Sequence, residues 1–157
     1  MHPELERPAR ERVCLPFGRT RAHAGSTSGA GIGSYEERKT QSLLLKAAKK
    51  LIADGRLPNI HCLFVGEGPD KEMLAGMITE LGISANVTLE SFTKEPFYVF
   101  ERCNVIALPS TGKEGLPNVL LEALAMETPC VATNKYGMPE VVIDGKTGCA
   151  LPTSCYR

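Results

Sequence analysis

Short apolar runs alternate with amphipathic stretches along most of the chain, and this alternation leaves few folds open. IHCLFV, NVIALP and TPCVAT are nearly continuous in apolar residues. A strand with one wet face alternates apolar and polar residues. These runs instead require burial on both faces, as in a parallel sheet covered by helices. The segments between them have helical spacing. In SLLLKAAKKLIADG, residues Leu43, Leu44, Ala47, Ala48 and Leu51 make an apolar stripe opposite lysines, and Gly55 is placed to stop the helix. PDKEMLAGMITELG, opened by Pro69 and closed by Gly82, predicts a second helix. EPFYVFERC, LPNVLLEALAME and MPEVVI predict three more, and GAGIG, NVTLESF and GCALP predict further strands. Connections are short and rich in Gly and Pro. The pattern predicts an α/β fold, a doubly wound parallel sheet of about six strands.

Such sheets bind ligands at the carboxyl ends of their strands, near the point where strand order reverses. A site should therefore be assembled from the strand-to-helix turns GSYEERK, GEGPDKE, SFTKEP, PSTGKEGLPN and TNKYGMPE. Glycine, lysine and glutamate concentrate in them. The helix-to-strand turns, such as ADGRLPN, are plainer.

With 157 residues, one compact domain is expected. Eighteen basic residues balance eighteen acidic ones, so net charge offers nothing to nucleic acid or an acidic membrane. No apolar run approaches the ~20 residues of a membrane span, and no transmembrane segment is expected. The first residues are charged and Pro-rich, without a signal-peptide core. Residues 1–28, with RPARER and a Gly-Ser run, read as a poorly ordered arm, leaving 29–157 as the folded unit. Six cysteines are dispersed without a CxxC pair, and Cys62, Cys130 and Cys149 read as buried free thiols. Reduced thiols without a leader point to the cytoplasm. His2, His23 and His61 lack metal-ligand spacing, and His61 reads as structural.

Several fragments imitate nucleotide motifs and fail on inspection. GAGIGS has Ser34, and GEGPDK has Lys71, where the dinucleotide fingerprint needs its third glycine. Gly145-Lys146-Thr147 resembles the end of a P-loop, but its leading glycine would fall on Glu140. In STGKEG, Glu114 stands where Ser or Thr is required.

EGLPNVLLEALA carries more. Pro117 suits the first position of a helix, where its missing N–H costs nothing. Gly115 and Leu116 then offer free amides near the positive end of the helix dipole, an anion site. Glu114 stands just before this end. Val119, Leu120, Ala123 and Leu124 form the apolar stripe, with Glu122 off it, one turn beyond Asn118. Two carboxylates can thus border a pocket floored by backbone N–H groups. Carboxylates accept hydrogen bonds from hydroxyls, and amides with lysine suit phosphates. A nucleotide sugar has both features. Taken singly, Glu114 is as well explained as a helix cap and Glu122 as a solvated helix residue.

The ordered set LFVGEGP, NVIALPS, EGLPNVLLEALA, TPCVAT and YGMPEVVIDGKTG resembles the donor-binding C-terminal half of GT-B retaining glycosyltransferases of family 4, the glycosyl transferases group 1. The resemblance covers residues 29–151. It implies that Glu114 and Glu122 are the two acids of an E-x7-E motif, the first on the donor sugar's hydroxyls and the second on the ribose. It implies that Gly115, Leu116 and Pro117, with Asn118 beside them, line the donor site. GSYEERKT spans the family's first turn, placing Lys39 on the lysine that neutralises the departing diphosphate. Ser34 replaces that turn's arginine. Arg38 is either a compensating cation or a surface ion pair, and Gly18-Arg19 is a further match that needs a long insertion before Lys39. Glu127 and Tyr136 each replace a family glycine.

The resemblance thus implies transfer of a sugar, with retention, from a UDP-, GDP- or ADP-sugar to an acceptor hydroxyl, with Lys39 and Glu114 catalytic and no cofactor or metal. The acceptor, a glycan, lipid or small molecule, belongs to an N-terminal half not seen in this chain. The final residues stop short of the family's terminal helices. Without an acceptor half the chain is expected to be inactive. A lone half-domain is also expected to expose apolar surface and self-associate. Two alternatives stand beside this: a non-catalytic nucleotide-sugar-binding module, and a fragment of a GT-B sugar-nucleotide epimerase.

Overall fold

The computed structural model describes residues 27–152. The arm expected over 1–28 therefore lies, up to residue 26, outside the described residues, as do Gly18-Arg19 and the last five residues. Ser28 does not belong to an arm. It opens β1 (Ser28–Ile32), pairing with His61, while its amide donates to Asn104 Oδ1 at 2.7 Å. The remaining elements in chain order are α1 (Gln41–Ala53), β2 (His61–Val65), α2 (Lys71–Glu80), β3 (Val87–Glu90), α3 (Phe97–Arg102), β4 (Val105–Leu108), α4 (Asn118–Ala125), β5 (Cys130–Thr133), α5 (Met138–Val141) and β6 (Gly148–Leu151). Six strands form one sheet in the order β3-β2-β1-β4-β5-β6, and every pairing is parallel. The doubly wound layout is as expected. The order reverses between β1 and β4, which opens a crevice at their carboxyl ends.

Two cores flank the sheet. Tyr35, Leu45, Ala48, Cys62, Phe64, Leu74 and Ile78 pack α1 and α2 on one side. Ala30, Val65, Phe100, Ile106, Leu120, Ala132 and Met138 pack α3, α4 and α5 on the other. β2 shows why its sequence is apolar without alternation: Cys62 and Phe64 serve the first core, Leu63 and Val65 the second. Burying a side chain such as Phe64 or Leu120 stabilises by roughly 1.5–3 kcal/mol.

Two helices refine the expected pattern. On α1 the buried residues are Gln41, Leu45 and Ala48, with Leu44 and Ile52 packed beside them, whereas Ala47 is exposed. The inward stripe is turned from the expected one because a continuous LLL run admits several helical faces. On α4 the stripe is as expected, but Pro117 occupies the flanking cap position rather than the first helical one.

The chain end of α4 is closed by two bonds, Thr128 N to Ala123 O at 2.9 Å and Glu127 N to Leu124 O at 3.0 Å. This is a Schellman motif, which places Glu127 in the left-handed region, at φ 59°. Tyr136, at φ 56°, is likewise left-handed. Both residues thus occupy the conformation that glycine adopts without penalty.

Cys62 and Cys130 are free and buried, with thiols pushed by desolvation to about 11 and about 12. Cys149 corrects the reading of it as a free thiol, because it is disulfide-bonded. Pairing depends on the approach of two backbones in space, which dispersed cysteine spacing does not encode. His61 sits in β2 with Nε2 2.9 Å from Thr88 Oγ1, a structural role on the sheet. Among the described residues no helix is long and apolar enough to cross a membrane.

Candidate functional site

The crevice is walled by the turn after β1 and the turn after β4. They are tied together through their backbones. Arg38 O accepts the Thr111 amide at 2.8 Å, and the Thr40 hydroxyl donates to Pro109 O. A single turn of 3₁₀ helix, Glu37–Lys39, aims two consecutive cations at the crevice.

Both cations meet Glu114. Lys39 Nζ lies 2.6 Å from Glu114 Oε1, and Arg38 Nη1 lies 3.0 Å from the same oxygen. The Ser110 hydroxyl is a third partner of that oxygen, at 2.8 Å. The Lys39 and Glu114 side chains are only 13% and 12% exposed, so water screens this pair far less than a surface salt bridge. Burial works to raise the Glu114 pKa. The Lys39 and Ser110 hydrogen bonds, with the charges of Lys39 and Arg38, outweigh it and hold the carboxyl below its ordinary value. Arg38 is half exposed and shared, its Nε 2.6 Å from Glu36 Oε2. Arg38 therefore forms the ion pair left open for it, and through Nη1 it also reaches Glu114.

The rest of the predicted set lies on one path leading away from Glu114. Gly115 and Leu116 are exposed, Pro117 is buried, and Asn118 is exposed at the start of α4. Pro117 provides no side-chain cap. Among the described residues the amides of Gly115, Leu116, Asn118 and Val119 make no loop or capping bond to backbone. An uncapped helix start with open N–H groups attracts anions. Glu122 is half-buried on α4, one turn beyond Asn118, and is not part of the Lys39–Glu114 cluster.

Residues that motif reading passed over hold this assembly in place. Ser110 is fully buried, and its carbonyl accepts the hydroxyl of buried Thr133 at 2.9 Å. Tyr35 is also fully buried, its hydroxyl 2.9 Å from Phe64 O and 2.7 Å from Glu90 O. Burial, with the charges of Glu67 and Glu90, pushes its phenol to about 12, so it remains a neutral strut. A signal for Tyr35 was the glycine pair in GEGPDK. A Cβ on Gly66 would sit 2.0 Å from Gly33 O, and one on Gly68 would sit 2.3 Å from Tyr35 O. These glycines let the turn after β2 lie directly on the turn after β1, which explains a motif that failed as a dinucleotide fingerprint. Gly137 does the same for the turn after β5, where a Cβ would lie 2.3 Å from Gly115 O.

The glycosyl transferases group 1 family model matches residues 30–154. The chain belongs to that family. This group 1 chain is 32% identical over 112 residues to an uncharacterized glycosyltransferase of Methanocaldococcus jannaschii, covering 71% of itself and 27% of that protein. It is 35% identical over 119 residues to a GDP-mannose-dependent phosphatidylinositol monomannoside mannosyltransferase of Mycolicibacterium smegmatis, covering 71% of itself and 31% of that protein. The group 1 chain thus spans less than a third of either relative. Among solved structures, HepE of Anabaena in complex with UDP matches with a TM-score of 0.74 at 24% identity, over 83% of this chain and 36% of HepE. HepE has also been crystallised with UDP-glucose. That likeness identifies the six-stranded unit as a Rossmann-like half of a GT-B fold.

Proposed function

We propose that residues 29–157 are the donor-binding half of a retaining glycosyltransferase of family 4 type. It would move a sugar from a nucleoside diphosphate to an acceptor hydroxyl supplied by a separate N-terminal half. The observation that carries this reading is the Lys39–Glu114 pair, 2.6 Å apart across the strand-order reversal. It joins a cation suited to phosphate with a carboxylate suited to hydroxyls, in the crevice where such sheets bind ligands.

In the transfer, the bond from the anomeric carbon to the diphosphate oxygen breaks, and a bond to the acceptor oxygen forms on the same face. Negative charge gathers on the departing diphosphate oxygen, which takes up the proton that the acceptor hydroxyl releases. Lys39, aided by Arg38, stabilises that charge, together with the amides of Gly115 and Leu116 and the start of α4. Glu114 accepts from sugar hydroxyls and fixes their orientation. Glu122 accepts from the ribose, while Pro117 and Asn118 shape the passage between. Relatives that use or bind GDP-mannose and UDP support a nucleotide sugar as donor.

Calorimetric titration of the chain with UDP, GDP and ADP, and then with their sugars, tests the proposal. Saturable binding of one diphosphate, weakened by Lys39→Ala and by Glu122→Ala, supports it. A folded chain that binds none of them refutes it.

A further inference from the structure

We infer that Ser110 is a positioning residue for Glu114, holding carboxylate oxygen Oε1 so that Oε2 is presented to a hydroxyl of the donor sugar. This rests on the donor-site reading above.

The assignment begins with the way Glu114 is held. Lys39, Arg38 and Ser110 all bond Oε1, at 2.6, 3.0 and 2.8 Å. Among the described residues none of these bonds reaches Oε2. The carboxylate is therefore tethered by one oxygen, and the other keeps its acceptor capacity. An ionised carboxylate only accepts, so Oε2 suits a ligand O–H and repels a phosphate.

The three tethers are not equivalent. Lys39 and Arg38 are cations on the same short turn, and a bound diphosphate competes with Glu114 for both. Ser110 carries no charge for a phosphate to recruit. It is fully buried, and its main chain is fastened by the Thr133 hydroxyl at 2.9 Å and, through Pro109 O, by the Thr40 hydroxyl. It can therefore keep Glu114 aimed while the cations turn to the diphosphate.

The Ser110 hydroxyl has one proton and two acceptors in range, Glu114 Oε1 at 2.8 Å and Arg38 O at 3.0 Å. Arg38 O is already supplied by the Thr111 amide at 2.8 Å. The carboxylate is charged and closer, and a charge-assisted bond is the stronger one, so the proton goes to Glu114. The downward displacement of the Glu114 pKa, to which this bond contributes, agrees.

The experiment uses the full chain with Ser110→Ala and Ser110→Thr. Carbon-detected NMR follows the Glu114 carboxyl through a pH titration, with Glu114→Gln assigning the signal. Calorimetry compares UDP with UDP-glucose. In Ser110→Ala the Glu114 midpoint rises, UDP affinity stays within about twofold, and UDP-glucose binds about tenfold more weakly, the loss of one charge-assisted bond. Ser110→Thr restores both. If Ser110→Ala does not fold, Ser110→Cys, of similar size and a weaker donor, makes the same comparison. An unmoved midpoint in a folded variant, or equal losses for UDP and UDP-glucose, overturns the assignment. If the wild type binds neither ligand the donor-site reading falls, and the midpoint still decides whether Ser110 holds Glu114.

Discussion

Lys39 Nζ and Glu114 Oε1 are 2.6 Å apart although 75 residues separate them in the chain. The sheet brings them together: β1 and β4 are adjacent and parallel, so the turns that leave them rise from the same edge. A charge pair this well enclosed is costly to break from one side, because the remaining partner stays desolvated.

Replacing Lys39 by Ala should weaken binding of the nucleoside diphosphate by about ten- to a hundredfold, since it removes a charge-assisted phosphate contact. Calorimetry reads this directly. Retained affinity would place the diphosphate elsewhere.

The Glu114 pKa lies below its ordinary value of 4.5, so the folded state binds the carboxylate's proton less readily than the unfolded chain does. The resulting stability is fully present above the unfolded value, and it is lost as pH falls through the lower folded value. Urea unfolding of wild type and Glu114→Gln should therefore show a stability gap at pH 7 that narrows below pH 4.5. A gap that is constant with pH would mean that the charge of Glu114 contributes nothing.

Leu120 and Glu122 lie on the same helix but should respond in opposite ways. Leu120 is fully buried, and Leu120→Ala should cost about 2–5 kcal/mol in denaturant unfolding. Glu122→Ala should change stability by less than about 0.5 kcal/mol while weakening nucleotide binding. An unstable Glu122→Ala would make that residue a structural one.

Glu127 closes α4 at φ 59°. Glu127→Gly should raise stability by up to about 1 kcal/mol, since glycine meets the left-handed requirement without the side-chain penalty. A loss of stability would show that the Glu127 side chain contributes more than its strain costs.

Phe92, Phe97 and Leu116 are 66%, 52% and 55% exposed, and all three lie in or beside turns at the strand carboxyl edge. Light scattering should show concentration-dependent self-association, reduced in a Phe92→Ser, Phe97→Ser double variant. A monodisperse monomer at high concentration would contradict this.

Much of the site was legible because its local pieces are rigidly coupled to sequence. The sequence put Glu114 just before a helix start and Glu122 on that helix, and α4 begins there, with Glu122 outside the Lys39–Glu114 cluster. Arg38 was ambiguous for a physical reason. Its long side chain reaches Glu36 two residues away and Glu114 across the sheet, and local sequence contains only the first partner. Ser110 and Thr133 were missed because small polar residues at strand ends are common, and nothing local distinguishes one that anchors a carboxylate. Cys149 was misread because a disulfide depends on how two cysteines approach in space, which their types and spacing do not state.

The sequence by itself determined the layers of this protein. Continuous apolar runs separated by amphipathic stretches satisfy burial only as a parallel sheet covered on both faces, and the glycines and prolines set the turns. Only the tertiary structure decided that β1 lies beside β4. That adjacency depends on how two cores pack on opposite faces, and no stretch of chain contains it. It places Lys39, Arg38 and Ser110 around one oxygen of Glu114, where their hydrogen bonds and charges outweigh burial and keep the carboxylate ionised.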